Sequence, residues 1–384
     1  MKYFFLTILI VLNQFLFAQN NFKIEFSAPA FENDSLFLTP PMYNGITSNL
    51  YAFEAVSTEN TSFYKEFHSA IIRVKLKNLI EGRILYPQPI SFSCYDKENN
   101  EGHSTKVFFL EKGNLKISVN GYMPPYNILN PNSTSRIAKI TCTLNSKSPA
   151  NLEYEKLKNN IKIFDDKLSN RQDNDLKYFY EKQAYLKNYI IKQPDSYVAF
   201  WELVNDFSSF GFNKSYLKSL KLFSPNVKKT HSYVEFKKIL EIENSTNVGG
   251  NFPEVIFNSN DKLVKSDFAN YKVTLIDYWA TFCAPCIKDL PKLVELYDKY
   301  RNRGVNFISV TDENKKEKID LALKILENNK VSWKNHFDVN KEFPKKLNAL
   351  GYPLQILVDS NGKIIARKLG ELDQIEAEIK KLID

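Results

Sequence analysis

The chain of 384 residues contains few of the side chains that form zinc sites, with only four cysteines and four histidines. A structural zinc ion needs four ligands, and the close pair Cys283 and Cys286 would supply half of such a set. The other candidates are scattered along the chain without ligand spacing: Cys94, Cys142, His68, His103, His231 and His336. The sequence therefore predicts no metal site.

Long blocks of one charge are also missing. The 52 basic and 44 acidic side chains are interleaved, and they give a formal net charge of +8. A mildly basic surface could favour acidic partners or an anionic membrane face. Without a basic block or a recognition motif, the sequence gives no indication of nucleic-acid binding.

No apolar run after residue 18 approaches the roughly 20 residues that a membrane-spanning helix requires. The first 18 residues carry one charge, Lys2, and a short apolar run that ends at Ala18. This pattern predicts a secretory signal cleaved between Ala18 and Gln19. A retained membrane anchor is the alternative. Signal cleavage also prefers a small residue two positions before Ala18, and Leu16 does not fit that preference. No cysteine follows Ala18 to carry a lipid, so we expect a soluble exported protein without stable membrane insertion after cleavage.

The length predicts two or three domains, at about 100 to 200 residues each. Residues 20–145 are rich in short strand-like segments and predict a compact antiparallel β domain. Residues 150–244 have a helical period, and in residues 248–384 strands and helices alternate. The stretch Asn120–Ser135, with three prolines, predicts an extended loop near the end of the first domain.

In the first region, apolar or alternating runs lie between clusters of Asn, Gly, Pro and Ser, and such runs predict strands. The predicted strands are Phe22–Phe26, Leu36–Leu38, Ile71–Leu76, Ile84–Tyr86, Val107–Leu110, Leu115–Val119 and Ile137–Leu144.

In the second region, apolar residues recur every three to five positions, which predicts amphipathic helices. They cover residues 152–168, 176–191, 197–207, 216–223 and 233–242. Asp195 or Ser196 is placed to cap the third of them. The many Lys and Glu side chains predict a solvated face, with partner binding as the alternative.

In the third region, alternation predicts a sheet with helices on both faces and a hairpin near the end. The predicted strands are Val255–Phe257, Val273–Trp279, Val305–Val310, Leu354–Val358 and Lys363–Leu369. The predicted helices are Cys283–Arg301, Lys315–Asn329 and Asp373–Ile383.

The first of these helices begins with the pair Cys283-x-x-Cys286, directly after an apolar strand. At a helix start, unpaired N–H groups and the helix dipole favour the thiolate of Cys283 over its thiol. That thiolate can attack a substrate disulfide, and Cys286, one turn deeper, can resolve the mixed disulfide. A purely structural disulfide is the alternative.

Three features around this pair resemble one known family: Trp279-Ala280-x-x-Cys283-x-x-Cys286, Pro291 five residues after the second cysteine, and Gly351-Tyr352-Pro353 before a strand. Residues 248–384 resemble the thioredoxin-fold domain of TlpA/ResA-type proteins, which are exported bacterial thiol–disulfide oxidoreductases. Residues 20–245 resemble, more weakly, the N-terminal part of multidomain members. The resemblance implies a central mixed sheet flanked by helices.

Two carboxylates are candidates for moving the proton of Cys286. Asp277 occupies the strand position where thioredoxins carry a buried acid. Asp289 follows Cys286 by three residues, where TlpA/ResA-type proteins usually carry a Glu that is one methylene longer. Burial would raise the pKa of either carboxyl. Asp277 could instead be a structural hydrogen-bonding group, and Asp289 a solvated helix residue.

The resemblance also implies a substrate-docking surface. Pro353 is expected to be cis and to face the cysteines, which leaves the backbone of Tyr352 able to pair with a bound substrate. Tyr352 is bulkier than the Thr or Val often found there, so it could narrow the range of partners. The apolar rim of the site is predicted to consist of Trp279, Phe282, Ala284 and Pro285.

Cys94 and Cys142 fall in the β-rich region. In an oxidising compartment two such thiols can form a structural bridge. We predict this bridge, with a buried free thiol at each position as the alternative.

These observations predict an exported, periplasmic enzyme that reduces protein disulfides without a dissociable cofactor. Its expected partners are disulfide-containing proteins and an upstream dithiol electron donor. A disulfide oxidase or isomerase would use the same groups. A thiol peroxidase is disfavoured, because no Arg stands near the motif to polarise peroxide. Outside catalysis, residues 20–245 could bind a surface ligand, with the last domain as their support.

Overall fold

The computed structural model describes residues 20–41, 48–96, 101–122, 139–146, 148–169 and 176–383. The predicted signal lies outside these residues. So does most of the predicted loop Asn120–Ser135, whose first three residues end a strand. The chain divides into two compact units, Met1–Lys237 and Lys238–Asp384. This division falls inside a helix, and the predicted boundaries of three separate domains stay a prediction.

The described β-rich part of the first unit contains two sheets. The strands are β1 (Phe22–Ser27), β2 (Ser35–Thr39), β3 (Glu54–Ala55), β4 (Thr61–Tyr64), β5 (Ser69–Arg73), β6 (Asn78–Arg83), β7 (Gln88–Asp96), β8 (Glu101–Ser104), β9 (Phe108–Leu110), β10 (Gly113–Tyr122) and β11 (Lys139–Leu144). One sheet has the order β11-β10-β1-β6-β3, and the other has the order β4-β5-β2-β7-β8, with β9 paired to β7.

Alternating side chains of both sheets form one apolar core. Phe22, Ile24 and Phe26 of β1 point inward while their neighbours are more exposed. Across the core, the rings of Phe26 and Phe92 lie 4.9 Å apart. The predicted antiparallel arrangement needs one correction, because β1 and β10 pair in parallel.

Residues Ile84–Tyr86 do not form the predicted strand; the strand is the preceding segment Asn78–Arg83. Its alternation is hard to see in sequence, because two of its buried positions hold Asn78 and Gly82. Gly82 is required by the approach of β3, since a Cβ there would lie 2.0 Å from the carbonyl oxygen of Glu54. Ile84 is buried in the core outside any strand.

The structure contradicts the predicted bridge between Cys94 and Cys142, because no disulfide joins them. They lie on strands of different sheets, Cys94 on β7 and Cys142 on β11. The Cys142 thiol donates instead to the carbonyl oxygen of Lys106, at 3.7 Å. Burial raises the pKa of that thiol.

The described helices of the middle region confirm the predicted periodicity. They are α1 (Pro149–Ser169), α2 (Leu176–Lys192), α3 (Tyr197–Phe210), α4 (Lys214–Leu220), α5 (Pro225–Lys228) and α6 (His231–Thr246). Ser196 is the predicted cap of α3, and its hydroxyl accepts the N–H of Ala199 at 2.8 Å. The four-residue helix α5 is too short to give a periodic signal.

Some charged side chains of this region are buried rather than solvated. The Lys182 side chain is 1% exposed, and its ammonium contacts Glu202 at 2.8 Å, Asp206 at 2.6 Å and Asp165 at 2.6 Å. A buried charge is tolerated when it is paired and hydrogen-bonded. The prediction of a solvated face is therefore wrong for Lys182 and Glu202.

The second unit is built on a five-stranded mixed sheet of order β16-β15-β14-β17-β18. Its strands are β14 (Val273–Trp279), β15 (Val305–Thr311), β16 (Lys334–Phe337), β17 (Leu354–Asp359) and β18 (Ile364–Leu369), and a separate hairpin consists of β12 (Val255–Asn258) and β13 (Asp261–Leu263). The helices are α7 (Ala284–Tyr300), α8 (Lys316–Asn328), α9 (Glu342–Leu347) and α10 (Leu372–Ile383).

Both faces of this sheet are covered. Leu275 belongs to the apolar cluster that contains side chains of α7 and α10, whereas Ile276 belongs to the cluster that contains side chains of α9. Because both faces are buried, β14 is mostly apolar and does not alternate; its polar residues are Thr274 and Asp277. The mixed sheet with helices on either side confirms the predicted thioredoxin fold.

The last turns of α6 belong to this second unit. The Glu243 carboxylate accepts the side-chain amide N–H of Asn348 at 2.7 Å and lies 3.7 Å from the mostly buried guanidinium of Arg367. That guanidinium also donates to the carbonyl oxygens of Leu347 and Asn348.

None of the helices in the described ranges combines the length and apolar character needed to cross a bilayer.

Candidate active site

The pair Cys283 and Cys286 lies where β14 leads into α7, as predicted. Cys283 is the residue immediately before the helix, and its sulfur accepts the backbone N–H of Cys286 at 3.2 Å. Pro285 stands in the first turn, where an N–H has no partner within the helix. Strand end, capping sulfur and proline together fix the start of α7 at this point.

A disulfide joins the two cysteines. Cys283 is 6% exposed and Cys286 is 3% exposed, and both pack in an apolar cluster with Trp279, Ala322 and Leu326. Cys286 lies one turn inside the helix and is the more buried of the two. An attacking sulfur at the helix start and a sheltered resolving sulfur behind it are what disulfide exchange requires.

Three of the four predicted rim residues lie at the surface. Phe282, Ala284 and Pro285 are exposed, and Phe282 is 70% exposed. Trp279 is fully buried, so its prediction as a rim residue needs correction. It is the last residue of β14, all seven of whose residues are buried, and it packs beneath the cysteines.

The Tyr352–Pro353 peptide bond is cis, as the resemblance implied. Tyr352 packs against the apolar cluster that contains Cys283 and Cys286. Its ring meets that of Phe282 edge to face, with the centroids 5.5 Å apart. The fold thus brings together two segments about 70 residues apart in the chain, which follows from the pairing of β14 with β17.

Asp277 is buried in the middle of the sheet and accepts a hydrogen bond from the Gln355 side-chain amide at 3.0 Å. Burial, with a further contribution from the charge of Asp289, raises the pKa of the Asp277 carboxyl to about 7. A carboxyl with this pKa exchanges protons readily near neutral pH.

Asp289 lies on α7, one turn beyond Cys286, and is half-buried. Partial burial raises the pKa of its carboxyl, while Lys292 and Lys288 oppose the rise. Asp277 is thus the more deeply buried of the two acids.

Comparison with known proteins agrees with this geometry. Residues 247–383 match the family model described as Redoxin. The chain is 31% identical over 125 residues to the thiol-disulfide oxidoreductase ResA of Bacillus thuringiensis subsp. konkukian, an alignment that covers 32% of this chain and 69% of the relative. The ResA of Bacillus cereus (strain ATCC 10987) matches with the same identity and coverage.

The chain belongs to the TlpA/ResA-like thioredoxin family. It is accordingly a thiol–disulfide oxidoreductase, and members of this family act on disulfide-containing substrates and exchange electrons with redox partners. Among solved structures, the thioredoxin domain of a thiol-disulfide oxidoreductase from Bacteroides vulgatus is 25% identical, with a TM-score of 0.31, covering 36% of this chain and 98% of that one.

This TlpA/ResA-like site contains two buried acids, Asp312 and Glu313, that were not predicted from the sequence. One oxygen of Glu313 accepts both the backbone N–H of Thr281, at 2.9 Å, and the Thr281 hydroxyl, which fixes the turn just before Cys283. The Asp312 carboxylate accepts the hydroxyl of Tyr278 at 2.8 Å and that of Tyr352. Both acids directly follow β15, which runs parallel to β14.

A signal for these acids was present in the sequence. The carboxyl ends of neighbouring parallel strands meet at one edge of a sheet, where α/β proteins commonly bind ligands. Cys283 follows β14 and Asp312-Glu313 follows β15. Predicting that those two strands are parallel neighbours would have placed the acids beside the cysteines.

Proposed function

We propose that the protein is an exported, periplasmic oxidoreductase that reduces the disulfides of other proteins. The observation that carries the proposal is the position of Cys283 at the start of α7, with Cys286 behind it and the Tyr352–Pro353 segment packed against the same apolar cluster. The apolar segment that ends at Ala18 supports export.

In the reduced protein, the Cys283 thiolate attacks one sulfur of the substrate disulfide. The S–S bond of the substrate breaks, its departing sulfur takes up a proton, and a mixed disulfide links Cys283 to the substrate. The Cys286 thiol then loses its proton, and the resulting thiolate attacks the Cys283 sulfur. The substrate leaves as a dithiol with two electrons gained, and the protein retains the Cys283–Cys286 disulfide.

Asp277 is the proposed proton acceptor for Cys286. A carboxyl whose pKa is about 7 can take a proton near neutral pH and return it afterwards. Its burial favours this role over that of Asp289, which is partly solvated and lies beside Lys288 and Lys292.

No dissociable cofactor is needed in this scheme, because the two cysteines carry both electrons. An upstream dithiol must reduce the Cys283–Cys286 disulfide between turnovers. The substrate would dock along the backbone of Tyr352, with Phe282, Ala284 and Pro285 as its apolar surroundings.

The direction of electron flow is testable by redox titration. For a reductant we expect the Cys283–Cys286 pair to have a reduction potential near that of thioredoxin, about −270 mV. The measurement equilibrates the protein with glutathione redox buffers or dithiothreitol and follows the thiols by alkylation and mass spectrometry. A potential near the roughly −120 mV of strong oxidants would replace the reductase assignment with that of an oxidase.

A further inference from the structure

Tyr352 connects the redox disulfide to a buried carboxylate. Its ring packs against the apolar cluster of Cys283 and Cys286, and its centroid lies 5.0 Å from that of Tyr278 and 5.5 Å from that of Phe282. Its hydroxyl donates to the buried carboxylate of Asp312. Tyr352, which precedes Pro353, is thus fixed both by the packing of its ring and by the hydrogen bond of its hydroxyl.

Asp312 is itself fixed from several directions. One carboxylate oxygen accepts the hydroxyls of Tyr278 and Tyr352, and the other contacts the ammonium of Lys341. The backbone N–H of Asp312 donates to the carbonyl oxygen of Trp279 at 2.8 Å, beside the turn to Cys283. A buried carboxylate with this many donors keeps one orientation, because any rotation would leave its charge unpaired.

This anchoring bears on substrate docking. The backbone of Tyr352 is the segment expected to pair with an extended substrate, and its ring forms a wall with the exposed Phe282 next to Cys283. A wall that is already ordered does not lose side-chain freedom when a substrate packs against it. Such a surface favours a polypeptide with an apolar side chain next to its cysteine over small polar disulfides.

We propose that Asp312 is a positioning residue that, through the Tyr352 hydroxyl, holds the Phe282–Tyr352 wall ready for polypeptide disulfides flanked by apolar side chains. The inference rests on the proposed function and adds to it a substrate class and a residue that determines specificity. Asp312 acts through the Tyr352 hydroxyl, so its effect falls on docking more than on the exchange steps.

The test measures single turnovers of the pre-reduced full-length protein with three disulfides. Two are cyclic peptides with one disulfide that differ only in a Leu or a Ser next to the first cysteine, and the third is oxidised glutathione. The variants are Asp312→Asn, Tyr352→Phe and the double variant. Rates over a range of concentrations give a half-saturation concentration and a limiting rate.

In Asp312→Asn, we expect the half-saturation concentration of the Leu peptide to rise about three- to tenfold, consistent with the loss of one ordered contact surface. The limiting rate should change less than the half-saturation concentration, and the preference for Leu over Ser should shrink. Tyr352→Phe keeps the ring and removes only the hydroxyl, so it should change docking in the same direction. The double variant should be no worse than the more affected single one, because both substitutions weaken the same hydrogen bond.

Glu376→Gln is the matched control. Glu376 also accepts a tyrosine hydroxyl, that of Tyr300 at 2.9 Å, but it lies on α10, and Tyr300 packs in a different apolar cluster from Tyr352. The control should leave peptide discrimination unchanged. An equal effect of Glu376→Gln, additive effects in the double variant, or wild-type half-saturation in both single variants would each overturn the role of Asp312. If the wild-type protein reduces none of the three disulfides, the proposed function itself fails.

Discussion

Cys283→Ser is expected to abolish disulfide reduction, lowering the rate by roughly a thousandfold or more, as does removal of a catalytic nucleophile in other enzymes. The reason is that Cys283 caps the start of α7, where unpaired backbone N–H groups and the helix dipole favour its thiolate. A Ser hydroxyl has no thiolate to form the mixed disulfide. The measurement is reduction of a protein disulfide such as insulin, followed by precipitation of the freed chains.

Three further substitutions serve as controls for this result. Cys286→Ser retains the attacking sulfur, so it should accumulate a mixed disulfide with the substrate without releasing it. Cys94→Ser and Cys142→Ser remove the thiols of the β-rich part and should retain turnover. Full activity of Cys283→Ser, or equal losses in all four variants, would refute the assignment of Cys283 as the nucleophile.

Asp277→Asn should change how the stability of the oxidised protein depends on pH. Burial raises the pKa of Asp277 to about 7 in the folded state, against about 3.9 in the unfolded chain. Between these two values the unfolded state has released its proton and the folded state has not. The free energy of unfolding of the wild type therefore falls as pH rises from about 4 to about 7, and it is flat for this group above that range.

The difference of about three pKa units corresponds to a loss on the order of 4 kcal/mol from this one carboxyl. The amide introduced by Asp277→Asn does not titrate, so the variant should lack this decline in the free energy of unfolding. Its free energy of unfolding relative to that of the wild type should therefore increase from pH 4 to pH 8. Urea unfolding at pH 4, 6 and 8 under oxidising conditions measures the difference. Asp289→Asn is the control and should give a smaller change, because Asp289 is partly solvated. Parallel pH profiles for the wild type and Asp277→Asn would contradict the raised pKa.

The elements predicted best from the sequence are those with a strong local signal, such as an apolar run or a helix-start motif. Strand β14 was predicted with its observed bounds, because five of its seven residues are apolar or aromatic and form a short run typical of a buried strand. The start of α7 was predicted within one residue, since Cys283 and Pro285 mark it. Cis-Pro353 came from the family resemblance alone.

Other elements carry no local signal that sequence reasoning can use. Strand β16 has the sequence Lys334-Asn335-His336-Phe337 and pairs only because the edge of β15 is available. Helix α9 is six residues long and contains Pro344, so neither length nor composition indicates it. The predicted Cys94–Cys142 bridge was wrong for a similar reason. Whether two cysteines on different strands can pair depends on which sheet each strand joins, and no local signal shows this.

The hydrogen bonds of Asp312 show the same limit within the active site. Its partners Tyr278 and Tyr352 lie 34 and 40 residues away in the chain. Tyr352 was predicted as a site residue only because it precedes Pro353, and Tyr278 does not stand out from the 21 tyrosines of the sequence. Only the parallel register of β14 and β15, with the cis-proline segment opposite, brings the three together.

The contacts of Glu243 bear on where the redox domain can be separated from the rest of the chain. A fragment cut at the start of the Redoxin match, residue 247, would leave the largely buried Arg367 cation without its nearby carboxylate. A buried ion that loses its counter-charge is destabilising. An autonomous C-terminal fragment should therefore begin upstream, near residue 238, and retain the final turns of the helix that precedes its first strand.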